Sequence, residues 1–374
     1  MKKIGHFLLP AGFLAVWLLC GSWGSTGHKK INGHAPGSLP VRMWFLKTSW
    51  TALLAAHASD ADDRRQTDSN EAPKHFINLD SYPEFLSGGR IPQTFDSAVN
   101  KYGITFVREN GILPWAILAA YDSLRRCFLR KDWDRALLAA ADLGHYLGDG
   151  HQPLHLTLNY NGQLTGQEGV HARYETDMID RFADMIEYPF DSAEYIQDIA
   201  GTIFTRIYSD YLYVDSVLGA DQSAQEQSGS TGSNSYYNHL WANSGEFTIG
   251  LFRNASRLLA GLILTAWMDA GCPIPGMNGI REIPAGSFAV LSSNYPNPFT
   301  ASTIIPVSIA GEEGPVSLTI YDAAGNQVEI LEDGVLSGGE YRFRWEAGSR
   351  AKGIYYVVLR SGRIHETRKM LVIR

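Results

Sequence analysis

Cysteine is scarce in this chain: three residues in 374, at positions 20, 127 and 272. That is too few for a disulfide framework to replace a hydrophobic core. Cys20 falls in a segment expected to be removed, and the spacing of Cys127 and Cys272 leaves open whether they pair or stay reduced. A surplus of positive charge is also missing. Lys and Arg total 32 against 39 Asp and Glu, a formal net charge of −7. The chain therefore offers no broad basic face for sequence-independent polyanion binding, and any phosphate recognition must be local. The N-terminal apolar run, Phe7 to Leu19, is shorter than the roughly 20 residues that a membrane span needs, and Pro10 and Gly12 interrupt it. No internal repeat is evident.

What is present describes a folded protein of about two domains, with 45% hydrophobic and 19% charged residues. Lys2 and Lys3, the apolar run, then Cys20, Gly21 and Ser22 form the parts of an export signal. Cleavage after Ser22 exposes Trp23 as the new N-terminus. A membrane anchor and a lipoprotein signal through Cys20 are the competing readings; the short run weighs against the first and bulky Leu19 against the second.

From about residue 40 to 271 the apolar spacing is helical. Pro114 suits the first turn of a helix whose face carries Ile117, Leu118, Tyr121 and Leu124. The pattern continues from Trp133 to Leu147, and Phe252, Ala255, Leu259, Leu262, Ile263 and Ala266 mark a further helix ended by Gly271 and Pro273. Asp221 to Ser235, rich in Gln, Ser and Gly, lacks apolar periodicity and is expected to be a mobile surface loop. After Cys272 the character changes. A linker at 273–285 leads into short alternating runs at Val316–Ile320, Tyr341–Trp345 and Ile354–Val358, separated by turn residues such as Gly325-Asn326 and Gly338-Gly339. The expected architecture is a mainly α domain, residues 23–272, followed by a small all-β antiparallel sandwich, residues 286–374.

The densest chemical signal is His145-Tyr-Leu-Gly-Asp149-Gly-His151-Gln-Pro-Leu-His155. On a helix, His145 and Asp149 project from one face, so an imidazole and a carboxylate reach the same cation. Pro153 turns the chain and brings His155 in from another direction. His171 and Glu175 repeat the four-residue spacing. One such pair alone is ordinarily a surface ion pair, and one histidine ordinarily a core residue. Two pairs within about 30 residues, with His155 between them, point to metal. His151 falls off the common face and is expected to be a nearby polar residue rather than a ligand; His57, His239 and His365 have no partner pattern.

Two more blocks complete a resemblance. Trp23-Gly-Ser-Thr-Gly-His28, then Ser59-Asp60-Ala-Asp62-Asp63-Arg64-Arg65 followed by His75-Phe-Ile-Asn-Leu-Asp80, with the two helical pairs, resemble the superfamily of bacterial zinc-dependent phospholipases C and fungal single-strand-specific nucleases. The likeness runs from Trp23 to near Gly271. It implies three zinc ions. Asp62, His75, His145 and Asp149 would hold one; Trp23, through its amine and carbonyl, with His28 and Asp149 would hold a second; His155, His171 and Glu175 would hold the third. Asp60 competes with Asp62 for its place. A metal-bridging hydroxide would attack phosphorus, with Asp149 joining the metal pair and Asp62 as general base. A free Trp23 amine ties activity to processing.

Glu175 and the run Gly169-Val-His-Ala-Arg-Tyr-Glu resemble the phospholipase branch, whereas the Trp-Gly-x-x-Gly-His start resembles the nuclease branch. A phospholipid headgroup is the favoured substrate, single-stranded nucleic acid (nuclease or 3'-nucleotidase) the alternative, and a metal-stabilised surface protein that binds without turnover the third reading. Finally, Asn294-Tyr-Pro-Asn-Pro-Phe299, Leu318-Thr-Ile-Tyr-Asp322, Gly353-Ile-Tyr355 and Lys369-Met-Leu-Val-Ile-Arg374 resemble the C-terminal sorting domain of the type IX secretion system. That likeness implies the type IX machinery as partner and a secreted or cell-surface location.

Overall fold

The computed structural model describes residues 23–274, 287–311, 313–361 and 364–373. The expected export signal and most of the expected linker lie outside the described residues.

Helices dominate the N-terminal part and strands the C-terminal part. Pro114 lies in the first turn of the helix Leu113–Arg130, where its missing N–H costs nothing. That helix buries Ile117, Tyr121, Leu124 and Phe128. Lys131, in a left-handed conformation, stops it, and the Asp132 carboxylate accepts from Arg135 N at 3.2 Å to start the next helix, Trp133–Gly150. Gly24–His34 and Trp44–Ala56 pack against it. Buried Asn32 ties all three together by donating to Ala141 O at 3.0 Å and Leu54 O at 3.4 Å. Asn234–Asp269, about 54 Å long at 1.5 Å per residue, runs through the core with Phe252, Leu259, Leu262, Ile263 and Ala266 fully buried. By length and composition it is apolar enough to cross a membrane, but most of its apolar window is buried inside the protein.

The expected loop at 221–235 is a correction. Residues Val214–Ser228 form a helix, and only a short stretch before the Ser233 cap of Asn234–Asp269 is irregular. Polar composition concealed two buried anchors, Ala224 and Asp221. Asp221 takes Arg173 in an ion pair of 2.8 Å and the Tyr236 hydroxyl. Gln225 reaches back to it and Gln222 reaches Glu226, both pairs one helical turn apart.

Among the described residues the C-terminal part has seven strands: β1 Ser287–Leu291, β2 Ser302–Gly311, β3 Gly314–Asp322, β4 Gln327–Leu336, β5 Gly339–Glu346, β6 Gly353–Ser361 and β7 Ile364–Val372. They form two antiparallel sheets, ordered β1-β2-β5 and β4-β3-β6-β7. Alternation sends Leu318 and Ile320 of β3 and Val357 and Leu359 of β6 inward, where they meet Ile305, Val307 and Trp345 of the facing sheet. The fold is thus a mainly α domain followed by an all-β antiparallel sandwich. Cys127 and Cys272 are free thiols.

Candidate metal centre

Four separated segments meet at one end of the helix Trp133–Gly150. Two glycines make the approach possible. A Cβ on Gly144 would stand 2.1 Å from Asn32 Oδ1, and one on Gly148 would stand 2.9 Å from the His28 ring. Without side chains there, the helix Gly24–His34 lies close enough for His28 to stack on His145 at 4.0 Å between ring centroids. Trp23 is fully buried between Tyr174 and Phe252, and its Nε1–H donates to Gly148 O at 2.7 Å, beside Asp149. It holds φ 31° and ψ 12°, a left-handed conformation uncommon for an indole residue.

Asp149 is the hub. Oδ2 lies 3.0 Å from His75 Nδ1 and 3.4 Å from His145 Nε2; Oδ1 lies 3.5 Å from His28 Nε2 and 3.6 Å from His155 Nδ1. Asp62 Oδ1 joins at 3.6 Å from His75 Nδ1 and 3.7 Å from His145 Nε2. Asp60 instead points to the surface and pairs with His57 at 2.7 Å. A second group sits alongside: His155 Nε2 is 3.3 Å and His171 Nε2 3.0 Å from opposite oxygens of Glu175. Three donor sets therefore converge, with the donor atoms of each within 4.8 Å of one another: His28, His145 and Asp149; Asp62, His75 and His145; His155, His171 and Glu175.

The imidazoles are held from behind. Nδ1 of His145 donates to Ala58 O at 2.8 Å, that of His155 to His75 O at 2.6 Å, and that of His171 to Tyr160 O at 3.0 Å. A carbonyl only accepts, so each Nδ1 carries the proton and each Nε2 presents its lone pair to the cluster. Histidines that ligate metals are oriented in this way. His75 is reversed, with Nδ1 facing inward and Nε2 3.7 Å from buried Glu71. Glu71 in turn accepts from Lys74, Arg64 and the Tyr146 hydroxyl. Gln152 accepts from Leu154 N and donates to Glu175 Oε2 at 2.9 Å. Neither Glu71 nor Gln152 stood out in the sequence; Glu71, four residues before His75, was the one available signal.

Charge follows the geometry. Burial and the neighbouring His28 push His145 well below its ordinary value. Burial opposes ionisation of Asp149, but His145 and His155 outweigh it and hold the carboxyl well below the usual range. Glu175 behaves alike: burial raises it, and His171 and His155 bring it down to about 2. Burial lowers His75, yet hydrogen bonds to Asp149 and Glu71 raise it to about 9. At neutral pH His75 Nδ1 thus holds a proton amid Asp149 Oδ2, Asp62 Oδ1 and His145 Nε2, where a cation would also be favoured. Asp62 is raised by burial first and also by Asp149, against the lowering pull of His28 and His75.

A mixed set of imidazole nitrogens and carboxylate oxygens suits zinc. Buried Asp149 Oδ1 makes no well-formed hydrogen bond among the described residues, as expected of an atom placed for another partner. Every residue expected as a side-chain ligand lies in the cluster, and His151 does not. Its Nδ1 donates to Leu147 O at 2.7 Å and its Nε2 faces Asp210 at 3.7 Å, on the other side of the helix end. His57, His239 and His365 lie in none of the three groups.

Residues 293–374 match the family model described as the secretion system C-terminal sorting domain. The sandwich is therefore a sorting domain for type IX secretion, and the chain is a secreted or cell-surface protein that engages that machinery. A probable serine protease of Bradyrhizobium tropiciagri is 26% identical over 201 residues, 46% of this chain; the chain spans about a quarter, 25%, of that relative's length. Among solved structures, alpha-toxin of Clostridium absonum matches with TM-score 0.41 and 11% identity, over 94% of this chain and 97% of the other. Alpha-toxin from an avian strain of Clostridium perfringens matches with TM-score 0.43 and 10% identity, over 94% and 98%.

Proposed function

We propose that this protein is a secreted, zinc-dependent phosphodiester hydrolase of phospholipase C type, with its catalytic domain at residues 23–272, a linker at 273–285 and the sorting domain at 286–374. The observation that carries the reading is the convergence of three imidazole–carboxylate groups on one end of one helix, with His145 shared by two of them. Asp62, His75, His145 and Asp149 would hold one zinc, Trp23, His28 and Asp149 a second, and His155, His171 and Glu175 the third. Bound zinc would supply positive charge against a phosphodiester anion and lower the pKa of a coordinated water.

The chain's own groups have distinct tasks. Asp149, ionised and buried, balances cationic charge where no solvent can. Asp62, 21% exposed, stands where the cluster meets solvent, and its raised pKa suits a carboxylate oxygen that accepts a proton from water and passes it on. Carbonyls of Ala58, His75 and Tyr160 keep the imidazoles in one tautomer. Cleavage before Trp23 would free its amine as a ligand. It would also remove the left-handed strain, because a chain's first residue has no φ.

The test is turnover by purified mature protein on phosphatidylcholine and on single-stranded DNA, with and without chelator. Chelator-sensitive release of a phosphorylated headgroup supports the reading. DNA cleavage would move the assignment to a nuclease, and no chelator-sensitive turnover on either would leave a metal-stabilised binding protein.

A further inference from the structure

A cavity of about 370 Å3 lies outside the metal centre, between the segment Arg90–Gln93 and the helix Ile199–Tyr211. Arg90 and Gln93 line one wall. Thr202, Thr205, Arg206 and Ser209 line the other, at the three- and four-residue spacing of one helical face. The walls are tied together, since Ile91 N donates to the Tyr208 hydroxyl at 3.1 Å. The volume falls in the range of roughly 300–1,000 Å3 for small-molecule sites and exceeds what a bare oxyanion fills.

Two guanidinium groups face this space with spare donors. Arg90 makes no ion pair with a carboxylate among the described residues. Arg206 has a single loose one, 3.9 Å from Asp210 Oδ1. In a chain of net charge −7, most arginines half-buried like Arg206 are closely paired, as Arg64 with Asp142 at 3.0 Å and Arg173 with Asp221 at 2.8 Å, whereas Arg90 is exposed. Two under-neutralised guanidiniums on opposite walls match a doubly charged oxyanion in geometry and charge. One acid also lines the cavity, Asp198, with Oδ1 accepting from Gly201 N at 2.9 Å. It places negative charge at the end of the helix away from Ser209.

A second observation lies behind Arg206. The same side chain lines an inner void with His151, and His151 Nε2 and Asp210 Oδ2, buried 3.7 Å apart, lack hydrogen-bond partners among the described residues.

We propose that this cavity binds a phosphate monoester bearing a cationic group, with Arg90 and Arg206 on the phosphate, Thr205 and Gln93 as flanking donors, and Asp198 facing the cation. The inference stands apart from the reaction proposed above, although a headgroup phosphate released there would have this chemistry. The probes are phosphocholine, inorganic phosphate and choline chloride, titrated calorimetrically into the zinc-loaded mature protein, with zinc content and turnover read separately. Arg90→Ala and Thr205→Glu, both at exposed positions, should each weaken phosphocholine binding about ten- to a hundredfold, the worth of a charge-assisted contact, with zinc content and turnover unchanged. Inorganic phosphate should bind more weakly than phosphocholine. Asp198→Asn, which still caps the helix, should erase that difference. Phosphocholine binding that ignores Arg90→Ala and Thr205→Glu, or that disappears with chelator alone, would place the ligand at the metal centre and overturn the proposal. Loss of turnover on every substrate with this binding intact would instead count against the proposed reaction.

Discussion

Replacing Asp149 with Asn separates a metal centre from an ordinary buried ion-pair network. The change conserves shape but gives the four surrounding imidazoles, 3.0–3.6 Å away, one acceptor oxygen and one NH2 donor where two acceptor oxygens stood. If zinc is present, Asp149→Asn removes an anionic donor shared by two ions, and metal content should fall by about two per chain. An ion at 1,000 times its dissociation constant stabilises the native state by about 4 kcal/mol. A domain of this size shifts by about 2–4 °C per kcal/mol. Loss of even one ion should therefore lower Tm by about 8–16 °C, and chelator should bring the wild-type protein down by at least as much. A metal-free network makes a different prediction. Breaking it strands buried charge at about 3–5 kcal/mol, while chelator does nothing to the wild type. Elemental analysis and melting curves with and without chelator decide between them. A chelator-insensitive wild-type Tm with a destabilised Asp149→Asn would refute the metal reading.

Further outcomes follow from the same contacts. Zinc added to chelated protein at pH 7.5 should expel about one proton or more, because His75 titrates near 9 and a ligand must be deprotonated; calorimetry in buffers of different ionisation enthalpy reads the release, which should shrink as pH passes above about 9. Glu71→Gln should weaken zinc about 10–100-fold at the site containing His75, measured by competition with a chromophoric chelator, and unchanged affinity would remove Glu71 from the support of His75. Gly148→Ala puts a methyl 2.9 Å from the His28 ring and should displace it from Asp149, lowering zinc content with little change in helicity by circular dichroism. His145→Ala should lose metal and activity, whereas His151→Ala should keep its zinc and cost about 1–3 kcal/mol in denaturant unfolding; the reverse pattern would exchange the roles of the two histidines.

The cluster divides into what spacing encodes and what it cannot. His145 with Asp149, and His171 with Glu175, were legible because a helical turn brings positions four apart onto one face. The second pair survives a local departure from that rule: Arg173–Met178 winds as a π-helical turn after a short α segment, yet Glu175 still meets His171. The groups that orient the imidazoles were not legible. Three are backbone carbonyls, of Ala58, His75 and Tyr160, and every residue has one. The helix Val214–Ser228 was missed for a related reason. Val214, Val217, Leu218 and Ala224 give it a buried apolar face, but within the polar run the anchor is Asp221, buried against Arg173 and Tyr236, partners 48 and 15 residues away.

This division bears on how the centre assembles. His28, Asp62, His75, the His145–His155 run and the His171–Glu175 pair come from separate stretches, and apart from Gly144 and Gly148 no local rule brings them together. Apolar packing accomplishes much of the approach. Trp23 is wedged against Tyr174 and Phe252, and Asn32 joins three helices. The remaining cost is electrostatic, because Asp149, Glu175 and Glu71 are ionised with little or no solvent. In the absence of cations that charge is met by protons on the imidazoles, His75 foremost. Cations would replace those protons and cross-link the same segments, so metal binding and folding of this end of the domain should be coupled, with the apo protein opening first around Asp149 and not in the Leu113–Arg130 core.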